Sequence, residues 1–291
     1  MGWGVLFAPG DGHSAILCRR AAMTAPAPVK LITIDLDDTL WPCEPPIRLA
    51  EAQLLAWLAA VAPRLAEVHD QSSLRQHRLS LMRERADLAH DVTALRRESL
   101  RLLLDEFGYP HGLAAEGVAV FMEARNRVEP YPEVASALGA LAGRYCLVSV
   151  TNGNSDLDRT PLRGLFHHSL TAAGVGAAKP DPAVFLRALA LGGAEPWEAV
   201  HLGDDPALDV VPAQGLGITT VWVNRFGRQW PAHLPPPDAE VTDLDRFCHW
   251  LEGSRTSDRL RLEGSRTSDR LRLDGSRGSG PAGPEDGSSA L

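Results

Sequence analysis

The amino-acid sequence predicts an α/β fold: a doubly wound parallel sheet, interrupted after its first strand by an inserted block of four helices. Three observations predict it. Val29–Leu36 is nearly all apolar and rich in β-branched residues, as a strand buried on both faces of a parallel sheet reads, and it closes on Asp35, Asp37 and Asp38. From Ile47 to Gly108, and again over Ala114–Asn126, apolar residues recur at three- and four-residue intervals. From Pro132 to Val223 helical stretches alternate with short apolar runs, which implies a parallel sheet covered by helices on both faces.

Taken in order, residues 1–28 carry Gly, Pro and a Cys-Arg-Arg step without the apolar stretch and Ala-x-Ala site of a secretory signal, and read as a disordered extension. Met23 opens a compact lead into the first strand and is an alternative start. After the aspartates, Trp41-Pro-Cys-Glu-Pro-Pro46 reads as a bend, because proline donates no backbone hydrogen bond to a strand. The helices then follow as LAEAQLLAWLAAVAPRL, LRQHRLSLMRERADL, DVTALRRESLRLLLDEFG with Gly108 as its cap, and Ala114–Asn126. A helix over Pro132–Ala142 leads to a second strand, Tyr145–Val150, that ends in Thr151-Asn152-Gly153-Asn154. Ser169–Ala172 is a short third strand. Asp181 and Pro182 open a helix to Leu191, closed by Gly192. Ala199–Leu202 is a fourth strand ending in Gly203-Asp204-Asp205, and Thr219–Val223 a fifth. From Leu251 the eleven-residue unit LEGSRTSDRLR occurs twice in tandem before a Gly/Pro/Ser tail; each copy has too few apolar residues to offset chain entropy and reads as disordered.

Composition excludes several classes. A hydrophobic content of 44% with 23% charged residues is that of a globular protein with a sizeable core. A formal net charge of -8 argues against nucleic acid as partner, and no apolar run approaches the ~20 residues of a membrane-spanning helix. The four cysteines form no CxxC pair, so a reduced cytoplasmic setting fits best. Of 29 basic residues only Lys30 and Lys179 are lysines, which singles out Lys179, since an ammonium is a point charge where a guanidinium is a planar fork.

Asp35-Leu36-Asp37-Asp38-Thr39 resembles the nucleophile signature of the haloacid dehalogenase-like (HAD) hydrolase superfamily, and three further elements follow in the family's order: Thr151, Lys179 before Pro180, and Asp204 with Asp209. The resemblance implies a HAD-like Rossmannoid core over 29–40 and 127–248, a helical cap over 41–126, and a tail over 249–291. In a phosphatase of this kind a carboxylate attacks phosphorus and water then releases the aspartyl-phosphate. The resemblance assigns Asp35 as nucleophile and Asp37 as the acid that protonates the leaving alcohol and then takes a proton from water. Thr151, with the amides of Asn152 and Gly153, and Lys179 would bind the phosphoryl oxygens. Mg²⁺ would be held by Asp35, Asp204, Asp209 and the backbone carbonyl of Asp37.

Haloacid dehalogenation needs no acid at the second position, so Asp37 and the Asp204/Asp209 pair favour a phosphatase acting on a small-molecule phosphate ester, with the oligomeric state left open. The run His90-Asp91-Val92-Thr93 with Arg96 and Arg97, and the segments SVTNGN and HLGDDPALDV, resemble phosphatases of the riboflavin pathway, which act on FMN and a ribitylaminouracil phosphate. Other readings are a sugar-phosphate or phosphoglycolate phosphatase, a 2-haloacid dehalogenase, and a non-catalytic module on the same fold. Arg96 and Arg97 are expected on a solvated helix face. Trp41 either stacks on a flat ring of the substrate or packs the cap onto the core.

Overall fold

A computed structural model describes residues 29–253. The extension over 1–28 and the repeats beyond 253 lie outside them. The sheet has six strands, all parallel: β1 (Leu31–Ile34), β2 (Cys146–Thr151), β3 (His168–Thr171), β4 (Ala199–Gly203), β5 (Thr219–Val223) and β6 (Ala239–Val241). Their order across the sheet is β3-β2-β1-β4-β5-β6, so β1 is flanked by both β2 and β4, with Ile34 opposite Ser149 on one side and Leu202 on the other. The order reverses between β1 and β4. Ligands of such sheets bind in the crevice beyond the carboxyl ends at this reversal. β6, three residues at the edge, was not legible in the sequence: Ala-Glu-Val is too short to show a period.

Alternation of side chains across the pleat divides the core into two layers. Ile32 and Ile34 pack with Leu147, Val200 and Leu202 against α6 (Val134–Ala142) and a last helix over 244–253. Leu31, Val148 and Val150 pack on the other face with Phe185 and Leu189 of α8 (Ala183–Gly192); α7 (Ala172–Val175) precedes that helix. Asp181, expected to cap α8, accepts a 2.8 Å hydrogen bond from the amide of Ala183. The last helix passes the expected end of the core, and Leu251, 2% exposed, is part of the first layer.

The helical insertion follows β1 as the sequence places it, with two differences. The Pro-rich segment bends at Cys43, but its second half, Glu44 to Pro46, is already the first turn of α1 (Glu44–Val61), where Pro45 and Pro46 need no amide partner. The first expected helix is also divided: Ala62, at φ -139° and ψ 58°, breaks it before Pro63, because the ring of a proline disfavours the helical region for its predecessor. The insertion therefore comprises α1, α2 (Pro63–Val68), α3 (Gln71–Glu84), α4 (Val92–Glu106) and α5 (Leu113–Arg125). Asp70 and Ser73 cap α3 reciprocally, and Asp91 accepts from the amides of Thr93 and Ala94 at the start of α4. Leu54, Leu58, Leu100, Leu103 and Phe121 form its own apolar core.

Candidate active site

The amide of Asp35 donates to the carbonyl of Leu202 at 2.9 Å, so the ladder between β1 and β4 runs one residue past the end of β1 and fixes where this carboxylate leaves the sheet. Three residues on, Asp38 adopts φ 59°, a left-handed conformation that aspartate tolerates better than most residues. Its amide donates to the carbonyl of Trp41 at 2.7 Å, and its Oδ1 accepts from the amide of Cys43 at 2.9 Å. This closed turn carries the chain from sheet to cap.

Lys179 is the centre of the buried charge. Its Nζ donates to Asp35 Oδ1 and Asp209 Oδ1, both at 2.6 Å, and to the carbonyl of Val150 at 3.0 Å. Asn152 holds the lysine's backbone from both sides: its Nδ2 donates to the Lys179 carbonyl at 2.8 Å and its Oδ1 accepts from the Lys179 amide at 2.7 Å. Burial pulls the Lys179 pKa down, but the two carboxylates outweigh it and hold the ammonium charged. Burial likewise pushes the Asp209 carboxyl up, yet Lys179 and His201 reverse this and keep it ionised. For Asp35 burial prevails, reinforced by the charge of Asp209, and its carboxyl lies well above the usual range.

Asp209 comes from the turn after β4. Asp205 caps that turn by accepting from Ala207 and Leu208, and the five residues Pro206–Val210 form one wide turn leading into α9 (Val211–Gly215). The turn folds Asp209 back onto the strand end, where its Oδ2 accepts from the Asp205 amide at 3.0 Å. The approach is so close that any Cβ at Gly203 would overlap the Asp209 side chain. Behind it His201 lies fully buried on β4, with Nε2 3.4 Å from Asp209 and Nδ1 2.9 Å from the Thr33 hydroxyl. Burial pushes its pKa down in spite of Asp209, which favours the neutral ring.

Asp35, Asp204 and Asp209 each offer an oxygen, and these lie within 4.8 Å of one another. A set of hard carboxylate oxygens suits Mg²⁺. The charge balance fits as well, since three carboxylates face Lys179 and one guanidinium, that of Arg228, 2.8 Å from Asp204 Oδ2. Burial pushes the Asp204 carboxyl up to about 6 in spite of Arg228, and a cation between the three would reverse that direction.

Asp37 faces the cap. Arg125, at the end of α5 and 2% exposed, places its Nη2 2.7 and 2.6 Å from the two carboxylate oxygens, and the indole of Trp41 donates to Oδ1 at 2.8 Å. Thr151 is buried beside it and accepts from the Gly153 amide at 2.9 Å. A Cβ at Gly153 would stand 2.6 Å from Asp37 and 3.1 Å from the Thr151 hydroxyl, so only glycine leaves room between them. Six of the seven side chains expected at the site, Asp35, Asp37, Thr151, Asn152, Asp204 and Asp209, lie along the carboxyl ends of β1, β2 and β4 or the loops that follow, and the seventh, Lys179, reaches them from the loop between α7 and α8. The side chain of Asn152 is spent on Lys179, which leaves its backbone amide for the phosphate role the resemblance implies. Arg125, Arg228 and His201 were missed: the two arginines follow no motif, and a histidine inside Ala-Val-His-Leu-Gly reads as core.

A family model described as haloacid dehalogenase-like hydrolase matches residues 29–217. The chain belongs to this family. Among HAD-like relatives, the 5-amino-6-(5-phospho-D-ribitylamino)uracil phosphatase YigB of Escherichia coli is 27% identical over 72% of this chain and 90% of its own length. The phosphoserine phosphatase of Thermus thermophilus is 37% identical over 51% of this chain, a match that spans 62% of that enzyme. Among solved structures, a 2-haloacid dehalogenase from Pseudomonas syringae pv. Tomato is 39% identical, with a TM-score of 0.73 over 77% of this chain and 98% of that one. A HAD phosphatase from Thermococcus onnurineus is 27% identical with a TM-score of 0.57 over the same shares. Among the described residues of this HAD-like chain no helix is long and apolar enough to cross a membrane.

Proposed function

We propose that this HAD-like hydrolase is a Mg²⁺-dependent phosphomonoesterase working through an aspartyl-phosphate on Asp35. The observation that carries this reading is the third carboxylate, Asp204, within ligand reach of Asp35 and Asp209. A bound Mg²⁺ would supply charge for the nonbridging phosphate oxygens and the two acidic side chains nearest them. Asp35, held at the strand end by the Leu202 carbonyl and Lys179, attacks phosphorus; the bond to the leaving alcohol breaks, and Asp37 gives the alkoxide its proton. Asp37 then takes a proton from water, which attacks the same phosphorus and returns Asp35 as carboxylate. Lys179 and the Thr151 hydroxyl bear on the transferring oxygens, and Arg125 fixes the orientation of Asp37.

Dehalogenation is the second reading, favoured by the 39% identity to a 2-haloacid dehalogenase. It uses Asp35 alike but leaves Asp37 and Asp204 without a task. The finer expectation of a riboflavin-pathway ester is supported by the likeness to the uracil phosphatase. It draws nothing from Trp41, which is fully buried in the apolar cluster of the core with its indole spent on Asp37. The test is a panel of phosphate monoesters, FMN among them, together with 2-chloropropionate, each assayed with Mg²⁺ and with EDTA. The reading expects phosphate release that EDTA abolishes. Chloride release without phosphate release would replace it by dehalogenation.

A further inference from the structure

A cavity of about 340 Å³ lies between cap and core and runs from Asp37 and Gly153 into the insertion. Its walls include apolar side chains such as Leu79, Met82 and Leu95, but four guanidiniums reach it as well: Arg75 and Arg78 of α3, Arg96 of α4 and Arg125 of α5. Against these four charges stand Asp37, spent on Arg125, and Glu51, 3.4 Å from Arg78. Arg75 is exposed to solvent, so the buried surplus is the single charge of Arg96, beside a partly apolar space where it is screened less than at a surface.

Arg96 is the anomaly. The sequence places it on a solvated face beside Arg97; in the structure Arg97 is exposed, but Arg96 is 8% exposed, its guanidinium 3.4 Å from the centre of the Phe121 ring. Among the described residues no carboxylate pairs with it, and its Nε is buried without a hydrogen-bond partner, as is Nη1 of Arg125. Burial pulls its pKa down to about 9, with the charges of Arg78 and Arg125 adding to the effect and Glu51 opposing it. A buried cation left uncompensated is costly, and buried donors are ordinarily satisfied. An anion delivered with the substrate would relieve both.

We infer that this cavity is the subsite for a second anionic group, a carboxylate or a further phosphate, borne by the leaving alcohol of the ester and received by Arg96 and Arg78. The inference rests on the phosphatase reading and narrows it: the core takes the phosphate at Asp35, and the cap selects acidic alcohols over neutral ones such as the ribityl-flavin of FMN.

The test compares kcat/KM with Mg²⁺ for esters matched in size: phosphoglycolate for a carboxylate, ethylene glycol bisphosphate for a second phosphate, 2-hydroxyethyl phosphate as the neutral partner, and FMN. At least one acidic ester is expected to exceed the neutral one by about tenfold or more, as a hydrogen-bonded charge pair allows. Which acidic ester does so identifies the anion. Arg96→Gln should bring that ratio to within about threefold of one, and Arg78→Gln, which alters a partly exposed residue, serves the same purpose if the first variant does not fold. A wild-type ratio at or below one overturns the inference while the phosphatase reading stands, and so does a ratio that both variants leave unchanged. A protein inert toward every ester overturns both.

Discussion

Arg125 Nη2 lies within 2.7 Å of both carboxylate oxygens of Asp37, joining the last turn of the cap to the residue proposed as acid and base. Cap and core thus meet at the reacting centre. Replacing Arg125 by Gln removes a buried charge-assisted pair that orients Asp37, and kcat should fall by about tenfold or more with a smaller change in KM. Equal losses in kcat and melting temperature for every substrate, with no split between kcat and KM, would reduce Arg125 to a structural strut.

Lys179 pairs with two buried carboxylates, so Lys179→Met should cost about 3–5 kcal/mol of unfolding free energy in metal-free protein. Mg²⁺ should recover part of this by supplying charge to the same oxygens. Lys179→Arg should not restore activity, because a planar fork cannot point one charge at Asp35, Asp209 and the Val150 carbonyl together. Urea unfolding with and without Mg²⁺ measures the first two effects.

What was legible in the sequence follows from what carries a local signal. Val29–Leu36 announces a buried strand by composition, and Asp35 and Asp204 stand at strand ends where a period stops abruptly, while Lys179 is marked as one of two lysines, before Pro180, and Asp209 by its spacing from Asp204. Arg125 and Arg96 carry no such signal. Each lies on a helix in which charged residues ordinarily face water, and only tertiary packing turns them inward. β6 escaped because three edge residues have no period, and the break at Ala62 because the apolar spacing continues through it. The start of α1 at Glu44 is hidden inside the proline-rich bend because proline in a first turn and proline in a bend look alike locally.

Gly203→Ala should fold but push Asp209 aside, since a methyl there overlaps its side chain. Mg²⁺ affinity, followed by calorimetry, is expected to weaken by about tenfold or more, the scale seen when a ligand's support is disturbed. Affinity equal to wild type would place the cation elsewhere than at Asp209.

The Mg²⁺ site should also be sensitive to acid. Burial raises the Asp204 carboxyl to about 6 in the metal-free fold, and the cation requires its ionised form. Above that pH Asp204 is already deprotonated and adds nothing to the pH dependence. Below it each bound ion must displace a further proton from Asp204, so the dissociation constant should rise more steeply than above it, by about tenfold more per pH unit. Asp204→Asn should remove this added slope along with most of the affinity.

The central claim is that Asp35 becomes phosphorylated, and its most direct measurement is a burst experiment with Asp37→Asn and p-nitrophenyl phosphate in the presence of Mg²⁺. The nitrophenolate leaves without needing a proton, so the first step survives the substitution, whereas the second lacks the base that activates water. We predict a rapid release of nitrophenolate stoichiometric with enzyme, slow turnover after it, and one phosphoryl group on the acid-quenched peptide that carries Asp35. No burst together with an unmodified peptide, or a phosphoryl group on any other residue, would contradict the account.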